Sequence, residues 1–177
     1  RLLSRGLGDV YKRQVQSLRL QVVPGVAEEF MRKPAESAPL SKELVHSIRP
    51  DGAIKLSKSM RELQRRWRNT VRISEELFAP DELLDRAVLD NDGIDIGNVV
   101  GMVKIKRTYR GVVVNPHFMV KKKHGLPDTL IIPVGQLART TSRLDEVILR
   151  CTVKRLTTLP SYLKLNGEDA EEFDPVE

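Results

Sequence analysis

Between positions 99 and 134 the chain is rich in β-branched residues, among them Val99, Val103, Ile105, Val112, Val114, Ile131 and Val134. Such side chains lose rotamer freedom in a helix and pack well on a pleated surface, so this region reads as sheet. Residues 99–108 and 111–115 read as two strands separated by Tyr109-Arg110, compatible with a hairpin although Asn-Gly is absent from the connection. Residues 129–134 read as a short buried strand. Residues 147–153 alternate as a strand, yet Leu144, Val147, Ile148 and Cys151 also fit a helix; strand is the preferred reading.

Upstream the apolar period changes. Leu18, Leu20 and Val22 alternate with Arg19 and Gln21, a half-buried strand ended by Pro24 and Gly25. A short helical piece is expected over 26–32, a loop over 34–39, and a short helix from Ser41 through Ile48, stopped by the turn Arg49-Pro50-Asp51-Gly52. The longest helix is expected over 60–78. Ser59 and Glu62 have the spacing of a capping box, and Met60, Leu63, Trp67, Val71 and Leu77 form an apolar stripe in which Trp67 is a core anchor. Leu83, Leu84, Ala87 and Val88, following Pro80, predict a second helix over 81–89. The pattern predicts an α+β fold: an N-terminal strand and irregular arm, a central helical pair, and a C-terminal mainly antiparallel sheet. By position, 15–58 is the arm or irregular subdomain, 59–167 a single α+β domain, and 168–177 an acidic disordered tail.

Residues 4–14, SRGLGDVYKRQ, resemble the in-frame translation of a transposase-based sequencing adapter. The resemblance implies that 1–14 are adapter-derived rather than native, that Val15 lies inside a longer gene, and that the source is an uncultured microbe or phage. This affects the charge. The chain holds 30 Lys+Arg and 24 Asp+Glu. Setting aside four basic residues and one acid in 1–14, and six acids in 168–177, leaves 26 basic and 17 acidic residues, a net of +9. A body this basic suits an anionic partner.

Three basic clusters could meet phosphate: the arginines of the 60–78 helix, with Arg65, Arg66 and Arg68 foremost; the stretch from Lys104 through Lys106 and Arg107 to Arg110; and Lys121, Lys122 and Lys123, which precede Gly125-Leu126-Pro127 and read as a mobile loop. Lys104, Lys106 and Thr108 are expected on one strand face, with Val103 and Ile105 on the other.

Other chemistry finds little support. Asp90-Asn91-Asp92-Gly93 resembles part of a calcium loop, but with Gly93 as the sixth position Val88, Asp95 and Val99 stand where an acid, an apolar residue and a bidentate Glu are needed. That makes a turn the preferred reading. His46, His117 and His124 lack a partner at zinc spacing and read as surface or turn histidines. Cys151, the single cysteine, reads as a small buried hydrophobe and permits no internal disulfide. No run is long enough to span a bilayer. No phosphate loop, nucleophile elbow or zincin motif is present, so enzymatic activity is unsupported.

Pro127-Asp128-Thr129-Leu130-Ile131-Ile132, followed by Leu137 and by Asp145-Glu146-Val147-Ile148-Leu149-Arg150, is similar to a stretch in major capsid proteins of tailed phages. The resemblance implies a helix over 147–150 and a role in shell assembly. Two expectations follow. The first is a non-enzymatic nucleic-acid-binding or accessory protein, cytoplasmic, with DNA or RNA as partner and with no cofactor, no metal and no membrane partner. The second is a structural assembly protein of a tailed phage particle, located in the virion and meeting copies of itself or other phage proteins.

Overall fold

The computed structural model describes residues 3–4, 17–167 and 175–176. Most of the adapter-like stretch 1–14 and of the acidic tail 168–177 lies outside the described residues. In chain order the elements run β1 (Leu3–Ser4), β2 (Ser17–Gln21), α1 (Pro24–Phe30), β3 (Ser37–Ser41), β4 (Val45–Ile48), β5 (Ile54–Leu56), α2 (Met60–Trp67), β6 (Val71–Ile73) and β7 (Glu76–Phe78). They continue with α3 (Pro80–Leu83), β8 (Ala87–Leu89), β9 (Asp95–Ile105), β10 (Thr108–Pro116) and α4 (Phe118–His124). The remainder comprises β11 (Leu130–Pro133), β12 (Leu137–Thr140), β13 (Glu146–Leu149), α5 (Val153–Leu156), α6 (Pro160–Asn166) and β14 (Pro175–Val176). The α+β class is as expected. Two compact units are formed, one from Arg1–Thr70 and Glu75–Glu82, the other from Val71–Ser74 and Leu83–Glu177.

In the first unit the strands run in the order β1-β2-β3-β7. Leu18 and Leu20 alternate as expected and stand opposite Leu40 and Ala38 of β3. Residues 37–41 are therefore strand, where a loop is expected for 34–39, because pairing with β2 fully buries Ala38 and Leu40. α1 and α2 supply Ala27, Leu63 and Trp67 to the same core. Trp67 is a core anchor, and its indole N–H donates to the Pro39 carbonyl at 3.3 Å. Arg19 reaches from β2 across β3 to β7, with its guanidinium 4.1 Å from the centre of the Phe78 ring, and it donates to the Leu77 carbonyl at 2.9 Å and to Glu82 at 3.3 Å.

Several expected helices are shorter. α2 ends at Trp67, where the Thr70 hydroxyl takes the Trp67 carbonyl at 2.6 Å, and the Ser59 side chain makes no capping bond. Beyond it Val71 and Ile73 are buried with Arg72 between them, a period of two that belongs to strand β6. α3 stops at Leu83 and Asp85 adopts a left-handed φ of 62°, so 87–89 form β8 instead of a second long helix. Residues 42–44 make only a 3-10 turn before β4, which the expected Pro-Asp-Gly turn joins to β5.

The second unit holds a sheet of order β11-β10-β9-β8-β13-β12, antiparallel except for the β8/β13 pair. Its end strands are consecutive in the chain: β11 ends at Pro133 and β12 begins at Leu137, with one 3-10 turn between. Four peptide steps span at most about 15 Å. Five inter-strand gaps in a flat sheet would need about 24 Å. The sheet must therefore curl until its ends approach, and Val88, Ile96, Val99, Val112, Val114, Leu130, Ile132, Leu137, Val147 and Leu149 fill the resulting core. β13 is strand, as preferred on sequence grounds, but it ends at Leu149 instead of running to 153, and Val153 opens α5 behind the Thr152 cap. The helix implied over 147–150 by the capsid-like resemblance is not formed there, because Val147 and Leu149 alternate into this core.

Candidate nucleic-acid interface

The connection between β9 and β10 has two residues. Ile105 stands opposite Thr108, and Lys106 and Arg107 between them have φ of 47° and 67°. Left-handed φ at both central residues defines a type I′ turn, whose twist matches that of the strands it joins. Most residues with a Cβ give up about 1 kcal/mol at each such position, whereas Gly has no Cβ and the short Asn side chain compensates by local hydrogen bonding, which is why Asn-Gly usually fills them. Here the turn is Lys-Arg, with both residues exposed.

Neighbouring strands stop short of this end. β11 pairs with β10 over 111–114, β8 with β9 over 95–98, and β14 reaches β9 at Met102 and Val103. Residues 104–110 thus form a two-stranded ribbon that extends about two residues, roughly 7 Å, beyond the sheet. It contains Lys104, Lys106, Arg107 and Arg110 and no acid. Lys104 lies opposite Tyr109, its ammonium 4.7 Å from the ring centre, an arrangement that fixes the charge over the ring's electron-rich face. Arg110 is the extra residue of a bulge between the Tyr109 and Gly111 pairs. The expected face of Lys104, Lys106 and Thr108 is not formed as a strand face, because the turn falls at 106–107 and not at 109–110.

At the far end of β10, about 25 Å from the turn, lies α4. Lys121, Lys122 and Lys123 belong to this helix and not to a loop. Gly125, at φ 62°, closes it in the left-handed conformation, and Leu126 is buried beside it. Lys121 is paired with Asp128, whose carboxyl it holds below the ordinary aspartate value through their hydrogen bond and charge attraction. Lys122 and Lys123 are exposed.

The remaining candidate cations, Arg65, Arg66 and Arg68, belong to the first unit. Arg61, Arg65 and Arg68 recur at helical spacing along one exposed face of α2 and its C-cap. Arg66 faces a different way, into a cleft of about 310 Å³ that Leu40, Leu63, Trp67 and Asp81 also line. Arg72, from the same sequence cluster, sits on β6 and donates to the Ser74 carbonyl at 2.9 Å.

The calcium-like stretch is a turn, as preferred. The buried Asp90 carboxylate accepts the backbone N–H groups of Asp92 and Ile94 at 2.9 Å and of Val153 at 3.1 Å. Among the described residues no group of three or more His, Cys, Asp or Glu could hold a metal ion. His46 is exposed, His117 lies 3.1 Å from Asp95, and His124 Nε2 is buried without a hydrogen-bond partner among the described residues. Cys151 is buried, and that desolvation raises its thiol pKa. No described helix is long and apolar enough to cross a membrane.

The sequence signals the basic clusters but not the projection of the ribbon or the Tyr109 platform. Both depend on where neighbouring strands end. No protein family and no curated protein matches this chain.

Proposed function

We propose that the β9–β10 ribbon binds nucleic acid through its phosphates, and that the protein is a non-enzymatic nucleic-acid-binding or accessory protein. The Lys106-Arg107 turn carries this reading. Two cations occupy left-handed positions where uncharged Asn-Gly is cheaper, and strain of this kind is retained where a side chain has a task. With Lys104 and Arg110 they place four positive charges on a projecting ribbon. Such contacts neutralise phosphates and release counterions, giving affinity with little sequence preference. The Arg61, Arg65 and Arg68 face offers the first unit a similar surface.

The test is a salt series with mixed-sequence DNA and RNA. Affinity should fall linearly on a log-log plot, and Lys104→Ala should lower the steepness by about one unit. Absence of affinity at low salt, or affinity indifferent to salt, overturns the reading.

A further inference from the structure

The outward face of α4 combines two kinds of side chain that rarely share a solvent-exposed helix face. Phe118 and Met119 are 70 % and 72 % exposed, the highest among the exposed large apolar residues described. At about 100° per residue, Phe118, Met119, Lys122 and Lys123 fall within one arc of about 140°. Val120, Lys121 and His124 fall on the opposite arc. Their exposure agrees: the first four are exposed and the last three are partly buried. Phe118 precedes Lys122, and Met119 precedes Lys123, by one helical turn each, so an apolar pair leads and a cationic pair follows about 6 Å behind.

We infer that this face docks on an anionic lipid surface. A partner has to supply an apolar layer for Phe118 and Met119 and, about one helical turn away, a negatively charged layer for the two lysines. A bilayer interface has both in that order, acyl chains beneath phosphate and carboxylate headgroups. A nucleic-acid strand could stack a base on Phe118 but has no corresponding use for Met119. The face is also pre-formed. The Lys121–Asp128 pair, the left-handed Gly125 and the buried Leu126 hold α4 in place, so docking need not order the helix. It lies at the opposite end of β10 from the basic ribbon, and docking there leaves Lys106 and Arg107 accessible. Two apolar side chains and two charges give weak, reversible association, well short of stable insertion. The inference does not depend on the ribbon's role.

The experiment uses the full chain and vesicles of phosphatidylcholine, with and without about one third phosphatidylserine. Co-sedimentation is expected with the anionic vesicles only and should weaken with salt. The emission of a Phe118→Trp variant should shift to the blue on binding. Phe118→Ser/Met119→Ser and, separately, Lys122→Gln/Lys123→Gln should each reduce vesicle partitioning at least about fivefold. The unfolding temperature should change little, since all four side chains are exposed. No binding at millimolar lipid overturns the inference, as does binding that survives Phe118→Ser/Met119→Ser. If that variant loses oligonucleotide affinity while vesicle binding is unchanged, the face serves nucleic acid and the lipid assignment falls.

Discussion

The Asn166 carboxamide takes the place of a missing strand beside Ile131, accepting its N–H at 2.7 Å and donating to its carbonyl at 2.7 Å. β11 is an end strand of its sheet, and α6 thus satisfies and covers an edge that would otherwise be a template for another chain. Asn166→Ala leaves both groups unpaired and should lower unfolding free energy by about 1–3 kcal/mol in urea titration. Hydrogen exchange at the Ile131 amide should accelerate with it. An unchanged midpoint and exchange rate would mean that water substitutes for the side chain at no cost.

Asp90 ties two segments together, since one carboxylate receives backbone N–H groups from its own turn and from the start of α5. Asp90→Ala abandons three backbone donors, of which the Val153 N–H is buried, and should cost about 2–3 kcal/mol. Asp90→Asn keeps one oxygen, but if that oxygen serves the turn its amide N–H₂ opposes the Val153 N–H. Its cost should fall between wild type and Ala. Thermal unfolding of both variants with and without added calcium separates this role from metal binding: calcium should rescue neither.

The parts of this fold legible in the sequence are those whose signal is local. The alternation of β2 and the β-branched runs of β9, β10 and β11 reveal strands because each residue reports its own environment. The hairpin turn is harder to place, since bulges at Arg110 and between the Val113 and Val114 pairs break the alternation, and Lys-Arg has no turn signature. Helical spacing continues from Met60 through Val71 to Leu77 by coincidence. What interrupts it is the Thr70 hydroxyl on the Trp67 carbonyl and the left-handed Ser74, neither of which periodicity can register. The parallel pairing of β8 with β13 joins residues almost sixty apart, and no local pattern encodes it. Among the site residues the charges are visible from the start. The exposure of Phe118 and Met119 is tertiary, and an apolar residue in a sequence is read as core until the packing shows otherwise.

Alkaline pH should destabilise the second unit. Burial raises the thiol of Cys151 and the phenol of Tyr162 above their ordinary values, so both hold their protons more tightly when folded than when unfolded. The stability they contribute is complete below the unfolded pKa values and is lost as pH rises through the folded ones. Denaturation midpoints should therefore fall as pH climbs past the ordinary thiol value. Cys151→Ala should flatten the first part of that decline, and native Cys151 should react slowly with thiol reagents at neutral pH. Fast labelling of the native protein would contradict the burial on which this rests.

The C-terminal segment offers a test of masking. Pro175 pairs with Val103, the neighbour of Lys104, and the ten residues 168–177 carry six acids. Backbone pairing at that register brings the end of an acidic segment to the base of the basic ribbon. Deleting 168–177 should tighten oligonucleotide binding several-fold at low salt, with the difference shrinking as salt screens the charges. Equal affinities for the two forms would show that the segment only adds solubilising charge.

Replacing the turn Lys106-Arg107 by Asn-Gly separates stability from binding. Asn and Gly accept left-handed φ more readily than Lys and Arg, so Lys106→Asn/Arg107→Gly should raise unfolding free energy by about 1 kcal/mol. The same change removes two of four cations from the ribbon. Oligonucleotide affinity should fall, and the salt dependence should become shallower by about two units. A variant that is more stable and binds less is the signature of strain kept for function. Greater stability with unaltered affinity and slope would remove the ribbon from the interface, leaving the Arg61, Arg65 and Arg68 face of α2 to account for any binding that persists.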